Sequence, residues 1–488
     1  MSVIDSLKKE FERAEMKSAE NAGGAEEGSD LADRGEVVSG NKLVIPADVV
    51  SLQHKKRELS GEEAALARFE DHFVSVEGGQ TYIYRETTDP ELGERSLQWQ
   101  TVKSFHDIYA GETVMTSRGA QSVSRIWFNS AKRRTYPEGM KLLPGQEAPP
   151  GVYNLWSGFG FEPDTSATLS SVRKALWHLK YVICDGDKDA YSYLLYWLAS
   201  AVQYPERQAE VAIVMIGGRG TGKGVVGGWF RSIFGSHGMH IQSADHLTGK
   251  FNGHLKAAVG LFVDEAFFVG DRQGNNKLKS LITEDRSMLE AKYMSASATR
   301  NRLKIMMATN EDHAIAAGSD ERRYFVTRVS DRKKQDHAYF RDLTNWWDAK
   351  GNRAFLALLQ RLNLTDFNIR KVPQTRALFD QKLQSLSGLD AWMYDLLQGG
   401  EVRWEKGREK ATVDFAAQFK WYCGDSGGRY RYENTSPEAV SKGLRRWLNV
   451  ERRRESSGSR RWMLVLPDLD KARRQFAEKL KVQIDWDE

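Results

Sequence analysis

The sequence predicts an α/β fold built around a parallel sheet. Three continuous apolar runs, VAIVMI (211–216), LFV (261–263) and IMMAT (305–309), are typical of buried parallel strands. Stretches with helical spacing of apolar residues, such as YSYLLYWLASAV, flank these runs. Strands that alternate with helices favour an α/β core.

Five parts are predicted along the chain of 488 residues, which is too long for one ordinary domain. They are a disordered charged tail (1–65), a small α+β domain (66–170), the α/β core (171–330), a helical extension (331–395) and a basic C-terminal domain (396–488).

The tail is predicted from its composition, because it is rich in Glu, Ala, Gly, Ser and Lys and nearly lacks aromatic residues. In the domain that follows, FEDHFVSVEGGQTYIYRE predicts a hairpin that turns at Gly78-Gly79. SVSRIWFN predicts a strand. No acidic or nucleophilic cluster is visible before residue 170.

Several classes of protein are excluded by composition. The sequence contains no long uncharged apolar run of the kind that spans a membrane. Its charged N-terminus is unlike a secretory signal. Two cysteines, Cys184 and Cys423, are too few for a disulfide framework or a cysteine-rich zinc site. A cytosolic protein is expected, without a membrane partner.

A candidate phosphate-binding loop, GGRGTGKG, follows the first apolar run. Glycines let backbone N–H groups close around phosphate oxygens, and a following helix adds positive potential at its N-terminus. The lysine would reach the β- and γ-phosphates. Gly-rich turns are also common in ordinary loops. The candidate nucleotide-binding residues are Gly217, Gly218, Gly220, Thr221, Gly222, Lys223 and Gly224.

Polar residues follow the next two apolar runs. Asp264 would hold Mg²⁺, directly or through water, and Glu265 would polarise an attacking water. Asn310 could orient that water or touch the γ-phosphate. Taken singly, each is also typical of an ordinary turn after a strand. Their order behind the loop predicts a site that binds and hydrolyses ATP with Mg²⁺.

Two arginines, Arg322 and Arg323, precede a further apolar stretch, YFV. In ring-shaped NTPases an arginine of one subunit can reach the γ-phosphate held by its neighbour and offset charge in the transition state. Alternatively, the two form surface ion pairs. The sequence does not show which of the two arginines would take the role at the phosphate.

The C-terminal part is basic: residues 401–465 contain fifteen Lys and Arg against nine Asp and Glu. TVDFAAQFKWYCGD predicts a helix. SPEAVSKGLRRWLNV predicts a second helix with Ser436 as N-cap and Pro437 at its first position. ERRRESSGSRRWMLVLP predicts a hairpin. This order is typical of a winged helix, in which Arg445, Arg446, Arg453 and Arg460 would contact duplex phosphates. A protein-interaction module with a solvated basic face is the alternative.

As a set, the motifs resemble superfamily 3 helicases, and in particular the helicase half of phage, plasmid and satellite-element primase–helicases. LTGKFNGHLKAAVGLFVDEA, LKSLITEDRSMLEAKYMSASATRNRLKIMMATN and the lead-in NLWSGFGFEP carry the resemblance beyond the loop. It covers roughly residues 100–395.

The resemblance implies an AAA+-like P-loop NTPase core, a homo-hexameric ring and ATP-driven translocation on single-stranded DNA. Lys292 corresponds to the basic residue of the family's pore-facing hairpin, where it would contact backbone phosphates, and Tyr293 could stack on a base. Alternatively, Lys292 is one more surface lysine. The function expected is thus an ATP-dependent DNA helicase for replication of a phage or mobile element. Duplex or origin DNA would be a second partner.

Two departures from the family qualify this expectation. Gly224 removes the hydroxyl that usually ligates Mg²⁺. The region before residue 170 lacks the paired carboxylates of primase–polymerase members, so helicase without primase is predicted. The alternative is a DNA replication initiator or regulator that is not a motor and uses nucleotide only to assemble.

Overall fold

The computed structural model describes residues 60–91, 93–242, 246–247, 249, 252–265, 272–290, 297–318, 321–400, 404, 408–427, 429–455, 461–482 and 484–486. The chain is a mixed α/β protein with several sheets. It divides into two compact units, one of residues 1–140 with 150–153 and one of residues 141–149 with 154–488. The predicted division into five parts stays a prediction.

The first unit centres on a four-stranded sheet in the order β3-β2-β1-β6. The strands of this sheet are β1 (His72–Glu77), β2 (Gln80–Thr88), β3 (Arg95–Thr101) and β6 (Thr135–Tyr136). Between β3 and β6 in the chain, β4 (Thr113–Thr116) and β5 (Gly119–Ser122) pair antiparallel in a separate two-stranded sheet. Its helices are α1 (Gly61–Arg68), α2 (Val102–Ile108) and α3 (Val123–Asn129). The predicted hairpin is confirmed, because β1 and β2 pair antiparallel around Gly78 and Gly79, which both have positive φ.

Two local predictions for this unit are wrong. SVSRIWFN forms α3 rather than a strand, because its apolar residues Val123, Ile126 and Trp127 follow helical spacing and pack into the core of the unit. Residues 61–65, assigned to the tail, lie in α1. There Ser60 and Glu63 form a capping box, which satisfies backbone donors at the start of the helix.

The second unit is built on a five-stranded parallel sheet in the order β10-β11-β14-β9-β15. Short strands β7 (Met140–Lys141) and β8 (Tyr153–Asn154) precede it in the chain. The sheet strands are β9 (Ala212–Ile216), β10 (Gly238–Ile241), β11 (Gly260–Val263), β14 (Lys304–Thr309) and β15 (Tyr324–Arg328). A hairpin of β12 (Arg286–Leu289) and β13 (Ser297–Arg300) stands between β11 and β14 in the chain.

Helices cover this sheet. They are α4 (Leu169–Trp177), which continues as a π-helix (His178–Ile183), α5 (Lys188–Gln203), α6 (Lys223–Ile233), α7 (Arg272–Thr283), α8 (His337–Trp346), α9 (Asn352–Arg361) and α10 (Arg376–Gln384). The three apolar runs lie in β9, β11 and β14, and every residue of these strands is buried. Burial on both faces explains why the sequence shows unbroken apolar runs there.

The C-terminal part contains α11 (Gly388–Gln398), β16 (Glu409–Ala411), α12 (Thr412–Asp425), α13 (Pro437–Trp447), β17 (Glu451–Arg454), β18 (Trp462–Val465) and α14 (Leu469–Leu480). The strands form a sheet in the order β16-β18-β17. The predicted start of α13 is confirmed: the Ser436 side chain accepts a hydrogen bond from Ala439 N, and Pro437 opens the helix. Among the described residues, no helix combines the length and apolar content that crossing a membrane requires.

Candidate functional site

One cavity brings together most of the predicted nucleotide-site residues. It has a volume of about 620 Å³ and lies at the carboxyl ends of β9, β11 and β14. Parallel strands place the residues that follow them at one edge of the sheet, which is why positions far apart in sequence meet here. The lining consists of Arg219, Gly220, Thr221, Gly222, Lys223, Gly224, Val225, Asp264, Glu265, Asn310 and Phe340.

The loop between β9 and α6 is shaped by its glycines. Gly220 has φ 73° and Gly222 has φ 100°, a region that side chains rarely adopt. A Cβ atom on Gly222 would lie 2.7 Å from His178 Cε1 and 2.9 Å from Phe340 Cε1. Gly222 therefore requires both the backbone freedom and the small size of glycine. Gly217 and Gly218 belong to the same loop but are not among the residues that line the cavity.

Lys223 is the first residue of α6 and is almost fully buried. Its Nζ donates to the carbonyl oxygens of Gly217 at 2.5 Å and Gly218 at 2.7 Å, and to Asn310 Oδ1 at 3.0 Å. Burial lowers the pKa of Lys223, against the opposing effect of Asp264 and Asp331. The ammonium thus holds the two ends of the site together, the loop and the end of β14.

Asp264 and Glu265 follow β11 directly. Glu265 has φ 55°, and its backbone N–H donates to Asp264 Oδ1 at 3.0 Å. A non-glycine residue in the left-handed region costs on the order of 1 kcal/mol or more, and such residues cluster at functional sites. His240 on the neighbouring strand places Nε2 4.0 Å from Asp264 Oδ2.

A buried histidine that the sequence analysis missed supports the loop from behind. His178 is fully buried in the π-helix after α4, and its Nδ1 lies 2.9 Å from the Tyr339 hydroxyl. Burial lowers the pKa of His178 to about 4, opposed by the backbone of Gly222. The ring is therefore neutral at physiological pH. His178 and Phe340 lie far from the loop in sequence, so no local pattern signals them.

The two candidate arginines lie away from this cavity. Both precede β15, which runs parallel to β9, so they stand at the amino edge of the sheet and the loop stands at the carboxyl edge. Arg323 Nη1 lies 3.3 Å from the buried Glu321 carboxylate, whereas Arg322 is exposed. Neither can serve the cavity of its own chain, since a strand of five residues spans about 16 Å.

The predicted DNA-contacting residues have different surroundings. Arg446 donates to Asp390 Oδ1 at 2.5 Å, and Trp447 Nε1 donates to the same oxygen at 2.5 Å, so Arg446 joins α13 to α11. Arg445 is exposed, with its Nε 3.2 Å from the Ser441 carbonyl. Arg453 pairs with Glu409. Lys292, Tyr293 and Arg460 lie outside the described residues.

A family model described as "Family of unknown function (DUF5906)" matches residues 215–323, which span the loop, Asp264, Glu265 and Asn310. Over 176 residues the chain is 24% identical to a protein of Nitratiruptor phage NrS-1 named DNA primase-polymerase. The match covers 35% of this chain and 23% of the relative, so the chain spans less than a quarter of the curated protein that it matches.

Solved structures show a related fold. An apo structure of the NrS-1 C-terminal region has a TM-score of 0.56 and 16% sequence identity, over 82% of this chain and 98% of that one. The A form apo structure of the same region has a TM-score of 0.54 and 16% identity, again over 82% and 98%. At this identity the likeness concerns the fold alone.

These findings correct the functional prediction. The curated relative is named a primase-polymerase, so the helicase predicted from the motifs is wrong, and so is the expectation of helicase without primase. The names of these relatives agree with a role in phage DNA replication, but they do not support helicase activity, ATP binding or an AAA+ core. The chain carries a DUF5906 match, is similar in sequence to part of a phage DNA primase-polymerase, and is similar in fold to the NrS-1 C-terminal region.

Proposed function

We propose that this chain is an enzyme of phage-type DNA replication that binds a nucleoside triphosphate with Mg²⁺ and hydrolyses it in support of DNA primer synthesis and polymerisation. The observation that carries the proposal is the single cavity that joins Lys223 and the loop to Asp264, Glu265 and Asn310. The similarity to a phage primase-polymerase supplies the replication context.

The residues present fit such a ligand. The loop is kept open by glycine at Gly222, where a Cβ would meet His178 and Phe340, and α6 presents its N-terminus to the same cavity. Asp264 would hold Mg²⁺, which supplies charge neutralisation between phosphate oxygens. Glu265 would accept a proton from an attacking water. Asn310, already bonded to Lys223, would keep the lysine beside the phosphates.

ATP is the first nucleotide to test, and the P-loop NTPase assignment of the core belongs to this proposal. The sheet order β10-β11-β14-β9-β15, with the loop after the strand next to one edge, supports it. In the C-terminal part, the order of α11, β16, α12, α13 and the β17–β18 hairpin supports a winged helix. DNA is proposed as the partner of that basic part.

The central experiment measures nucleotide turnover and nucleotide binding in the same preparation. Glu265→Gln is expected to lower turnover by about 100-fold or more, because a positioned general base contributes that much, and to leave binding intact. Lys223→Ala is expected to weaken binding itself. Glu284→Gln, the same change at an exposed glutamate outside the cavity, should match the unsubstituted protein. Failure of the full chain to bind any nucleoside triphosphate would refute the proposal.

The name of the relative also suggests template-directed nucleotide transfer by the chain itself. We place the chemistry at the triphosphate cavity, because Lys223, Asp264 and Asn310 line it together. Incorporation of labelled deoxynucleotides on a primed template by the purified chain would instead assign polymerisation to it.

A further inference from the structure

An exposed tryptophan stands on the basic hairpin of the C-terminal part. Trp462 opens β18 with 45% of its surface exposed, although tryptophan is highly buried on average. Its main-chain carbonyl accepts a hydrogen bond from Thr412 Oγ1 at 3.1 Å, which ties the backbone to the start of α12. The backbone that carries this exposed ring is therefore held in place.

Two arginines of the partner strand flank this ring. In the antiparallel register Arg454 lies opposite Trp462 and Arg452 lies opposite Leu464, so all four side chains leave the same face. The Arg452 guanidinium carbon is 3.9 Å from the centre of the indole ring, and that of Arg454 is 5.9 Å away. Leu464 is fully buried and anchors the inner end of this face.

The surroundings of the ring are strongly cationic. All four residues of β17 are exposed, and three of them are arginines. Arg461 adjoins the ring in sequence and is exposed. Some of this charge is compensated, since Arg453 pairs with Glu409 and Arg461 lies 3.8 Å from Glu455. Arg452, by contrast, is directed onto the indole rather than onto a carboxylate.

We propose that Trp462, flanked by Arg452 and Arg454, is a base-stacking site for single-stranded DNA. An aromatic face accepts any nucleobase, and neighbouring guanidiniums supply charge for the phosphates on either side of it. A base in a duplex has no free face, so the site selects unpaired strands. This role differs from the phosphate contacts with duplex DNA that the arginines alone would make. The choice of DNA over RNA rests on the proposed function in DNA replication.

The test uses the full chain without added nucleotide and a fluorescein-labelled oligodeoxythymidylate. Trp462→Ala is expected to weaken binding by about 5- to 150-fold, the effect of losing one stacked base. Trp462→Phe should retain most of the affinity, which shows that the hairpin still folds. Trp421→Ala is the matched control, because Trp421 is 68% exposed on α12 of the same part of the chain and lies outside the proposed site. Arg452→Ala should weaken binding and reduce its dependence on salt.

Three further ligands make the outcome decisive. An abasic oligonucleotide should bind the unsubstituted protein as weakly as the oligodeoxythymidylate binds the Trp462→Ala variant. Blunt duplex DNA should bind both proteins equally. If the oligodeoxythymidylate binds the unsubstituted protein and the Trp462→Ala variant equally, the proposal is overturned. A preference for the matching RNA strand would overturn the assignment to DNA. Nucleotide turnover, measured separately on the same variants, distinguishes these failures from a failure of the proposed function.

Discussion

Gly222 and Gly224 lie within three residues of each other but differ in the space that the structure leaves for a side chain. A Cβ on Gly222 would collide with His178 and Phe340, and the backbone there has φ 100°. A Cβ on Gly224 would meet nothing within 4 Å. Gly224 thus lacks the usual hydroxyl for a reason other than space, and the cavity can accept a side chain there.

Substitution of these two glycines should therefore give contrasting results. Gly224→Ser is expected to leave nucleotide turnover intact or to raise it, since a hydroxyl can join Mg²⁺ ligation and glycine is unfavourable in a helix by up to about 1 kcal/mol. Gly222→Ala is expected to abolish nucleotide binding. An assay of ATP turnover checks the first substitution, and isothermal titration with an ATP analogue measures nucleotide binding by both. A collapse of binding in Gly224→Ser would mean that the loop needs glycine at that position for its own backbone shape.

The buried His178 should make stability depend on pH. Its pKa of about 4 lies below the ordinary value of 6.5, so the unfolded chain binds more protons between these values. The stabilisation is complete above pH 6.5 and is lost as the pH falls towards 4. Between pH 7 and 5 the unsubstituted protein should lose about 2 kcal/mol more than His178→Gln.

Urea unfolding at the two pH values measures this difference. The same substitution at His337, which is exposed and lies outside the core, is the control for the effect of the substitution itself. If His178→Gln and the unsubstituted protein lose the same stability, the ring does not remain neutral in the folded chain.

Among the helices, α11 and α13 are joined by one buried carboxylate. Asp390 is 6% exposed and accepts hydrogen bonds from Arg446 and from Trp447 Nε1. In the same core, Trp447 stacks on Phe476 of α14 at a centroid distance of 4.6 Å. Arg446 therefore stabilises the packing of α13 on α11 through its ion pair with Asp390, in addition to contributing positive charge to the surface.

Asp390→Asn should consequently destabilise the C-terminal part by about 2 kcal/mol. The loss of charge removes the ion pair and leaves the indole N–H with a weaker acceptor, and partial exposure of Arg446 keeps the loss below that of a fully buried pair. Thermal unfolding monitored by tryptophan fluorescence measures it. Asp470→Asn, an exposed aspartate on α14, should change the unfolding temperature little.

For the whole molecule, the separation of the arginines from the cavity bears on assembly. Arg322 and Arg323 stand at the amino edge of the sheet, whereas the loop stands at the carboxyl edge. A role for either at a phosphate requires a second copy of the chain. The hexamer that the family resemblance implies remains a prediction.

The two arginines should differ when substituted. Arg322→Ala is expected to lower turnover by about 10³-fold without loss of nucleotide binding, as for an arginine supplied to a neighbouring site. Arg323→Ala should lower stability instead, because it leaves the buried Glu321 carboxylate without this partner. Sedimentation with an ATP analogue and DNA reports the assembly. A protein that stays monomeric yet turns over nucleotide would exclude a contribution from Arg322 of another copy.

Local signals in the sequence determined the strands and helix starts. Continuous apolar runs marked β9, β11 and β14, and Ser436 with Pro437 marked the start of α13, because burial on both faces and helix capping act over a few residues. Since parallel strands end at one edge, their order also brought Lys223, Asp264 and Asn310 together as candidates.

Only the tertiary structure decided which partners these residues have. His178 and Phe340 lie against Gly222, and Arg446 pairs with Asp390. Arg322 is exposed, whereas Arg323 pairs with a buried carboxylate. SVSRIWFN forms a helix, because in that conformation its apolar residues pack into the core of the first unit. The helicase prediction was wrong for a related reason. The motifs describe one site, whereas the function in which that site takes part depends on the rest of the molecule. Contacts between distant positions arise from the packing of the folded chain, and no short stretch of sequence encodes them.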